Sequence, residues 1–136
     1  LSIKPKEILK SRDYILVYEN EDQIKNIKID KELFDKKNID PGGVVITAKG
    51  NNSDFVSRYF VPQCSFFEDP VTGSTHCSLV PYWSKKLGKQ KLTSMQLSER
   101  GGEMFCIDKG DRVLINGKAQ TYSVGEVFLK KLTSSF

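Results

Sequence analysis

The densest run of functional groups lies at residues 68–76, Glu68-Asp69-Pro70-Val71-Thr72-Gly73-Ser74-Thr75-His76. Pro70 biases Asp69 toward an extended backbone and fixes the direction of the next turn. Gly73 lets the main chain approach a ligand closely. Ser74 and Thr75 fall where a helix begins, with backbone N–H groups free and the positive end of the helix dipole beside them. A carboxylate or another small anion suits such an end. A carboxylic side chain next to it is what proton transfer near a substrate carboxylate requires. A purely structural account also fits: Thr72 or Ser74 as an N-cap and Asp69 as a loop brace. Spacing alone does not separate the two.

The elements that must position these residues follow from the hydrophobic pattern. Residues 14–18, Tyr-Ile-Leu-Val-Tyr, read as a short buried strand, with a turn at Asn20-Glu21-Asp22. Residues 30–35 start a short helix with Asp30 as N-cap, and Asp40-Pro41-Gly42-Gly43 stops it. The β-branched run at 44–47 is a central strand; Lys49-Gly50-Asn51-Asn52 turns the chain, and 54–60 alternates apolar with polar residues as a second strand. Residues 74–87 are the principal helix: Val80, Trp83 and Leu87 share a face, Gly88 closes it, and Pro81 should kink it. A strand follows at 91–97. Asn116-Gly117 predicts a hairpin pairing 112–115 with 119–124, and 126–132 reads as a last strand. One long helix among mostly antiparallel strands is an α+β arrangement, with a curved sheet wrapped around the helix.

The remaining reactive types are weaker sites. His76 is the only histidine; with Asp69 and Cys77 it does not make a metal-ligand set, so packing in the helix explains it better. Cys77 and Cys106 read as small apolar fillers; Cys64 falls in a loop between Gln63 and Ser65, where an inert thiol is the commoner reading and a reactive one the alternative. Arg100-Gly101-Gly102 is a substrate-facing turn or a tight backbone path, the glycines favouring the second. Tyr82 and Trp83 read as packing residues. Asp108-Lys109-Gly110-Asp111 is too short for a calcium loop and fits a hairpin turn.

Composition bounds the rest. The 136 residues make one domain, with 38% hydrophobic and 28% charged residues as in a soluble globular protein. No apolar run approaches the roughly 20 residues of a membrane span, and Leu1-Ser2-Ile3-Lys4-Pro5-Lys6 lacks a signal peptide's apolar core. The absence of an initiator Met suggests a piece of something longer. Three cysteines argue against a disulfide framework and for a reducing, cytoplasmic setting. The net charge of +4 is a mild bias whose lysine pairs are scattered among acids, so no nucleic-acid surface is expected.

Several segments occur together in a recognisable order. They are 54–60 (Asp-Phe-Val-Ser-Arg-Tyr-Phe), 68–77 (Glu-Asp-Pro-Val-Thr-Gly-Ser-Thr-His-Cys), Pro81-Tyr82-Trp83, Leu87-Gly88-Lys89 and 96–103 (Gln-Leu-Ser-Glu-Arg-Gly-Gly-Glu). From about Gly43 onward the chain resembles the second half of the phenazine-biosynthesis (PhzF-type) isomerases; the first 40 residues carry no signature of it. The resemblance implies half of a diaminopimelate-epimerase-like fold, in which two α+β halves each wrap a sheet around a central helix. The active site then lies between the halves, facing both helix N-termini. The implied chemistry is metal-free, coenzyme-free proton transfer on small carboxylic acids, with a dihydro-hydroxyanthranilate as the substrate of the best-understood member.

By motif, the resemblance makes Asp69 the acid/base or proton relay and Ser74 its hydroxyl partner. Thr72, Gly73, Ser74 and Thr75 become the substrate-binding residues. Related racemases use a cysteine where this chain has Asp69, which argues against cysteine chemistry. Thr75 replaces a frequent alanine. The family's principal catalytic Glu and a second His belong to the first half, which no segment here matches. The implied partners are a small carboxylic acid and the missing half, on the same or another chain. A non-catalytic binding module and a self-associating half-domain are the competing expectations.

Overall fold

A computed structural model describes residues 1–37, 42–62 and 64–129. Eight strands and three helices follow one another as β1 (Glu7–Lys10), β2 (Tyr14–Val17), α1 (Glu21–Asn26), α2 (Lys31–Asp35), β3 (Val44–Lys49), β4 (Phe55–Phe60), β5 (Glu68–Asp69), α3 (Gly73–Leu87), β6 (Lys91–Gln96), β7 (Gly102–Asp108) and β8 (Val113–Asn116). They form one sheet in the order β1-β2-β3-β4-β6-β7-β8, with β5 paired to β4. The β2–β3 and β4–β6 pairs are parallel and the others antiparallel. This is the expected α+β class, with a mixed sheet.

Alternation of side chains across β4 divides the core in two. Phe55 and Tyr59 face inward and join Leu79, Val80 and Trp83 of α3. That inner cluster draws on every strand from β1 to β8 except β5, so the sheet curves around the helix. Val56 and Phe60 face outward and pack with Ile24 and Ile27 at α1. Trp83 stacks on Phe55 at 5.9 Å between ring centroids, and its indole N–H donates to Thr47 Oγ1 at 3.0 Å. The burial of an aromatic with its polar handle satisfied locks α3 to the middle of the sheet.

The principal helix lies where the sequence put it, one residue longer at its start. It continues through Pro81 and ends at Gly88, whose φ of 67° is the left-handed cap conformation. Asp30 caps α2 through its side chain, as expected. Three expectations are corrected. Asn20-Glu21-Asp22 is the start of α1, with the Asn20 side chain accepting from Gln23 N–H, so a turn signal served as an N-cap. Residues 112–115 do not pair with 119–124: β8 pairs with β7 instead, through the Asp108–Asp111 turn, which closes a hairpin one loop earlier. Residues 126–129 are not a strand. From Gly117 to Leu129 the chain carries Tyr122, Val124, Val127, Phe128 and Leu129, each at least 83% exposed. The strands β1, β5 and β7 were not anticipated. The expectations at Asp40, Pro41 and residues 130–132 lie outside the described residues.

Candidate active site

β5 is only two residues long, yet it sets the geometry. Glu68 lies opposite Phe60 and Asp69 opposite Tyr59 on β4. Strand alternation therefore sends the two acids to opposite faces. Glu68 is held by Arg58 in a two-pronged pair, at 2.7 Å and 2.8 Å, and is structural. Asp69 faces inward, toward the start of α3.

There its carboxylate accepts the Thr72 hydroxyl at 2.6 Å. Thr72 is the N-cap of α3, and its side chain makes no capping bond to the helix. Its own N–H donates to Gln96 Oε1 at 2.8 Å, and Gln96 Nε2 donates to Thr72 Oγ1 and to the Asp69 carbonyl. The buried Gln96 amide is thus saturated by the loop that carries the acid. The first turn of α3 contains no acidic residue. Its leading amides, from Gly73 onward, keep their donor capacity and the positive end of the dipole.

His76 fixes the loop from below. It is fully buried; Nδ1 lies 2.8 Å from the Thr72 carbonyl and Nε2 2.9 Å from Ser94 Oγ. A carbonyl only accepts, so Nδ1 carries the proton and Nε2 accepts from Ser94. Burial holds the imidazole below its ordinary value of 6.5, against a smaller opposing effect of the Thr72 carbonyl. This agrees with the packing role expected for His76.

A second group closes the other side. Asp13, buried in the turn after β1, accepts from Gly43 N–H, Tyr59 O–H and Arg12 Nη2 at 2.9, 2.9 and 3.1 Å. Burial and Asp13 push the Tyr59 hydroxyl up to about 12, so it stays a donor. Arg12 Nη2 also donates to Ser74 Oγ at 3.2 Å.

The site residues named from sequence thus come together, with rearranged partners. The hydroxyl on Asp69 is that of Thr72, while Ser74 pairs with Arg12. Thr75 is buried and donates to the Thr72 carbonyl, so its side chain is turned from solvent. Cys106 is buried as expected, but Cys77 is exposed on α3, since position 77 falls off the helix face that Leu79, Val80 and Trp83 bury. Arg100 lines a depression of about 440 Å³ with Glu68, Pro70, Ser98 and Glu99. Gly101 has φ 69°, and an added Cβ at Gly102 would collide with Val71, which bears out the tight path. Among the described residues no cluster of His, Cys, Asp or Glu could hold a metal ion. No helix among them is long and apolar enough to cross a membrane. Gln96, Tyr59, Asp13 and Arg12 were missed. Gln96 and Tyr59 lie inside recognisable segments; Arg12 and Asp13 carry no sequence signal, because only the β1–β2 turn and the β4–β5 pairing bring them and Tyr59 near residue 74.

The sequence profile of the phenazine biosynthesis-like protein family (PhzC-PhzF) matches residues 5–125. The chain belongs to that family. The match begins well before Gly43, so it takes in residues 5–42 as well. An uncharacterised isomerase of Pseudomonas aeruginosa is 42% identical over 130 residues, covering 95% of this chain and 49% of the relative. One from Halalkalibacterium halodurans is 37% identical over 132 residues, with the same shares, 95% and 49%. A crystal structure of a PhzF-family phenazine biosynthesis protein from Enterococcus faecalis superposes with a TM-score of 0.84 at 39% identity. It covers 95% of this chain and 49% of that one. The chain spans about half the length of these PhzF-type relatives.

Because His76 is kept neutral in the fold, the unfolded chain binds the extra proton as pH falls below 6.5. The stability His76 contributes is complete above that value and is lost as pH drops toward the lowered folded value. Urea unfolding at pH 7.5 and 5.5 should show the gap between wild type and H76Q narrowing at the lower pH. A gap independent of pH would contradict the neutral, buried imidazole.

Proposed function

We propose that this chain supplies one half of a PhzF-type isomerase that moves a proton on a small carboxylic acid without a coenzyme. The observation that carries the reading is the Asp69–Thr72 bond at an uncapped helix start. A substrate carboxylate resting on the leading amides of α3 would have its α or vinylogous C–H near the Asp69 carboxyl. Removal of that proton spreads negative charge onto the substrate carboxylate. The helix amides then donate to an oxygen whose charge grows in the transition state. Asp69 takes or returns the proton, while Thr72 and Gln96 hold its rotamer.

The reading requires a second acid/base from a complementary half across the cleft, in the role of the family's catalytic Glu. The apolar residues 122–129, turned to solvent in this chain, support such a completion. The competing reading is a binding module that keeps the fold without turnover.

Solvent-deuterium exchange separates the two. The chain joined to its complementary half should exchange a carbon-bound proton in a panel of small carboxylic acids that includes the dihydro-hydroxyanthranilate. D69N should slow exchange by about 10²-fold or more. Unchanged exchange in D69N removes Asp69 from the mechanism, and no exchange with any acid favours the binding module. The isolated chain should sediment as dimers or larger species, and serine at positions 124, 127 and 128 should return it to monomer. A strictly monomeric wild-type chain would count against the apolar segment as a contact surface.

A further inference from the structure

Arg12 is placed where a cation is electrostatically out of favour. The turn that carries it lies along the start of α3: Arg12 Nη2 donates to Ser74 Oγ at 3.2 Å, and Ser78 Oγ donates to Ser11 Oγ at 3.3 Å. A positive group beside the positive end of a helix is repelled, and acids ordinarily occupy a first turn. Here the first turn has none, and the N-cap hydroxyl is committed to Asp69. The nearest negative charge, Asp13, is buried and shared among Gly43 N–H, Tyr59 O–H and Arg12. It fixes the guanidinium through Nη2 alone. Among the described residues the hydrogen bonds of Arg12 come from Nη2, the Tyr59 hydroxyl stands beside the guanidinium, and the side chain is about half exposed.

We propose that Arg12 is a substrate-binding, specificity-determining residue: its free edge pairs with the carboxylate that rests on the leading amides of α3. This rests on the isomerase reading and deepens it. A guanidinium held by Asp13 and Ser74 meets a carboxylate with little further ordering and presents a planar fork that an ammonium lacks. Ser74, accepting from Arg12, keeps its own O–H proton available to the same carboxylate. The site therefore selects an anionic acid over its neutral amide. The signal is invisible in sequence, because Arg12 and Ser74 are far apart along the chain.

The test uses benzoate as the anionic probe and benzamide as its neutral counterpart, titrated into the whole chain and followed by amide ¹H–¹⁵N shifts of Gly73, Ser74 and Thr75. Benzoate should shift these amides and benzamide should not. R12Q should weaken benzoate binding about tenfold, the discounted worth of a half-exposed charged hydrogen bond, and R12K by less. Far-ultraviolet circular dichroism matching wild type keeps either variant interpretable, and R12K alone decides if R12Q does not fold. Equal benzoate affinity in wild type and both variants, with the helix amides still shifting, overturns the role of Arg12 and leaves the isomerase reading standing. No shift of those amides in wild type overturns both.

Discussion

Thr72 occupies the N-cap of α3, where a threonine hydroxyl ordinarily accepts from the helix's own amides. In this chain the hydroxyl donates to Asp69 instead. A helix forgoing its cap loses about 1 kcal/mol. The exchange links an acid to a helix start whose amides remain open. Everything else near the site serves to hold that arrangement: Gln96 satisfies Thr72 N–H and the Asp69 carbonyl, and His76 with Thr75 satisfies the Thr72 carbonyl. The bracing groups are buried and paired, while the leading amides of α3 are not capped by a side chain. That division is what preorganised electrostatic stabilisation needs.

The sheet supplies the register. Two residues of β5 on the edge of β4 suffice to aim Glu68 at Arg58 and Asp69 at the helix, because adjacent residues on a strand point oppositely. A one-residue slip would exchange their roles. The stacked Trp83 and Phe55 fix α3 against β4 from the other end, so the acid and the helix start are mounted on one rigid unit. The family match over residues 5–125 places the same unit in proteins about twice as long, some of them named isomerases.

Much of this was legible in the sequence. The run at 68–76 announced an acid, a turn and a helix start, and the 3.6-residue spacing of Val80, Trp83 and Leu87 announced the buried face. The failures have physical causes. Asn20-Glu21-Asp22 carries turn chemistry that equally caps a helix. Asn116-Gly117 is a strong hairpin signal, but Val113–Asn116 already had a partner in β7. The hydroxyl on Asp69 was assigned to Ser74 by motif, and only the path of the backbone between β5 and α3 brings Thr72 closer. Arg12, Asp13 and Tyr59 converge through long-range strand pairing, which no local pattern reports.

The central claim is an energetic link between the carboxylate at 69 and the hydroxyl at 72. A double-mutant cycle on T72V, D69N and the pair, read by urea unfolding at neutral pH, measures it directly. A hydrogen bond to an ionised acceptor predicts a coupling of about 1–3 kcal/mol. Effects that simply add, within about 0.5 kcal/mol, would mean that the two groups do not hold each other and that the helix start is not tied to the acid.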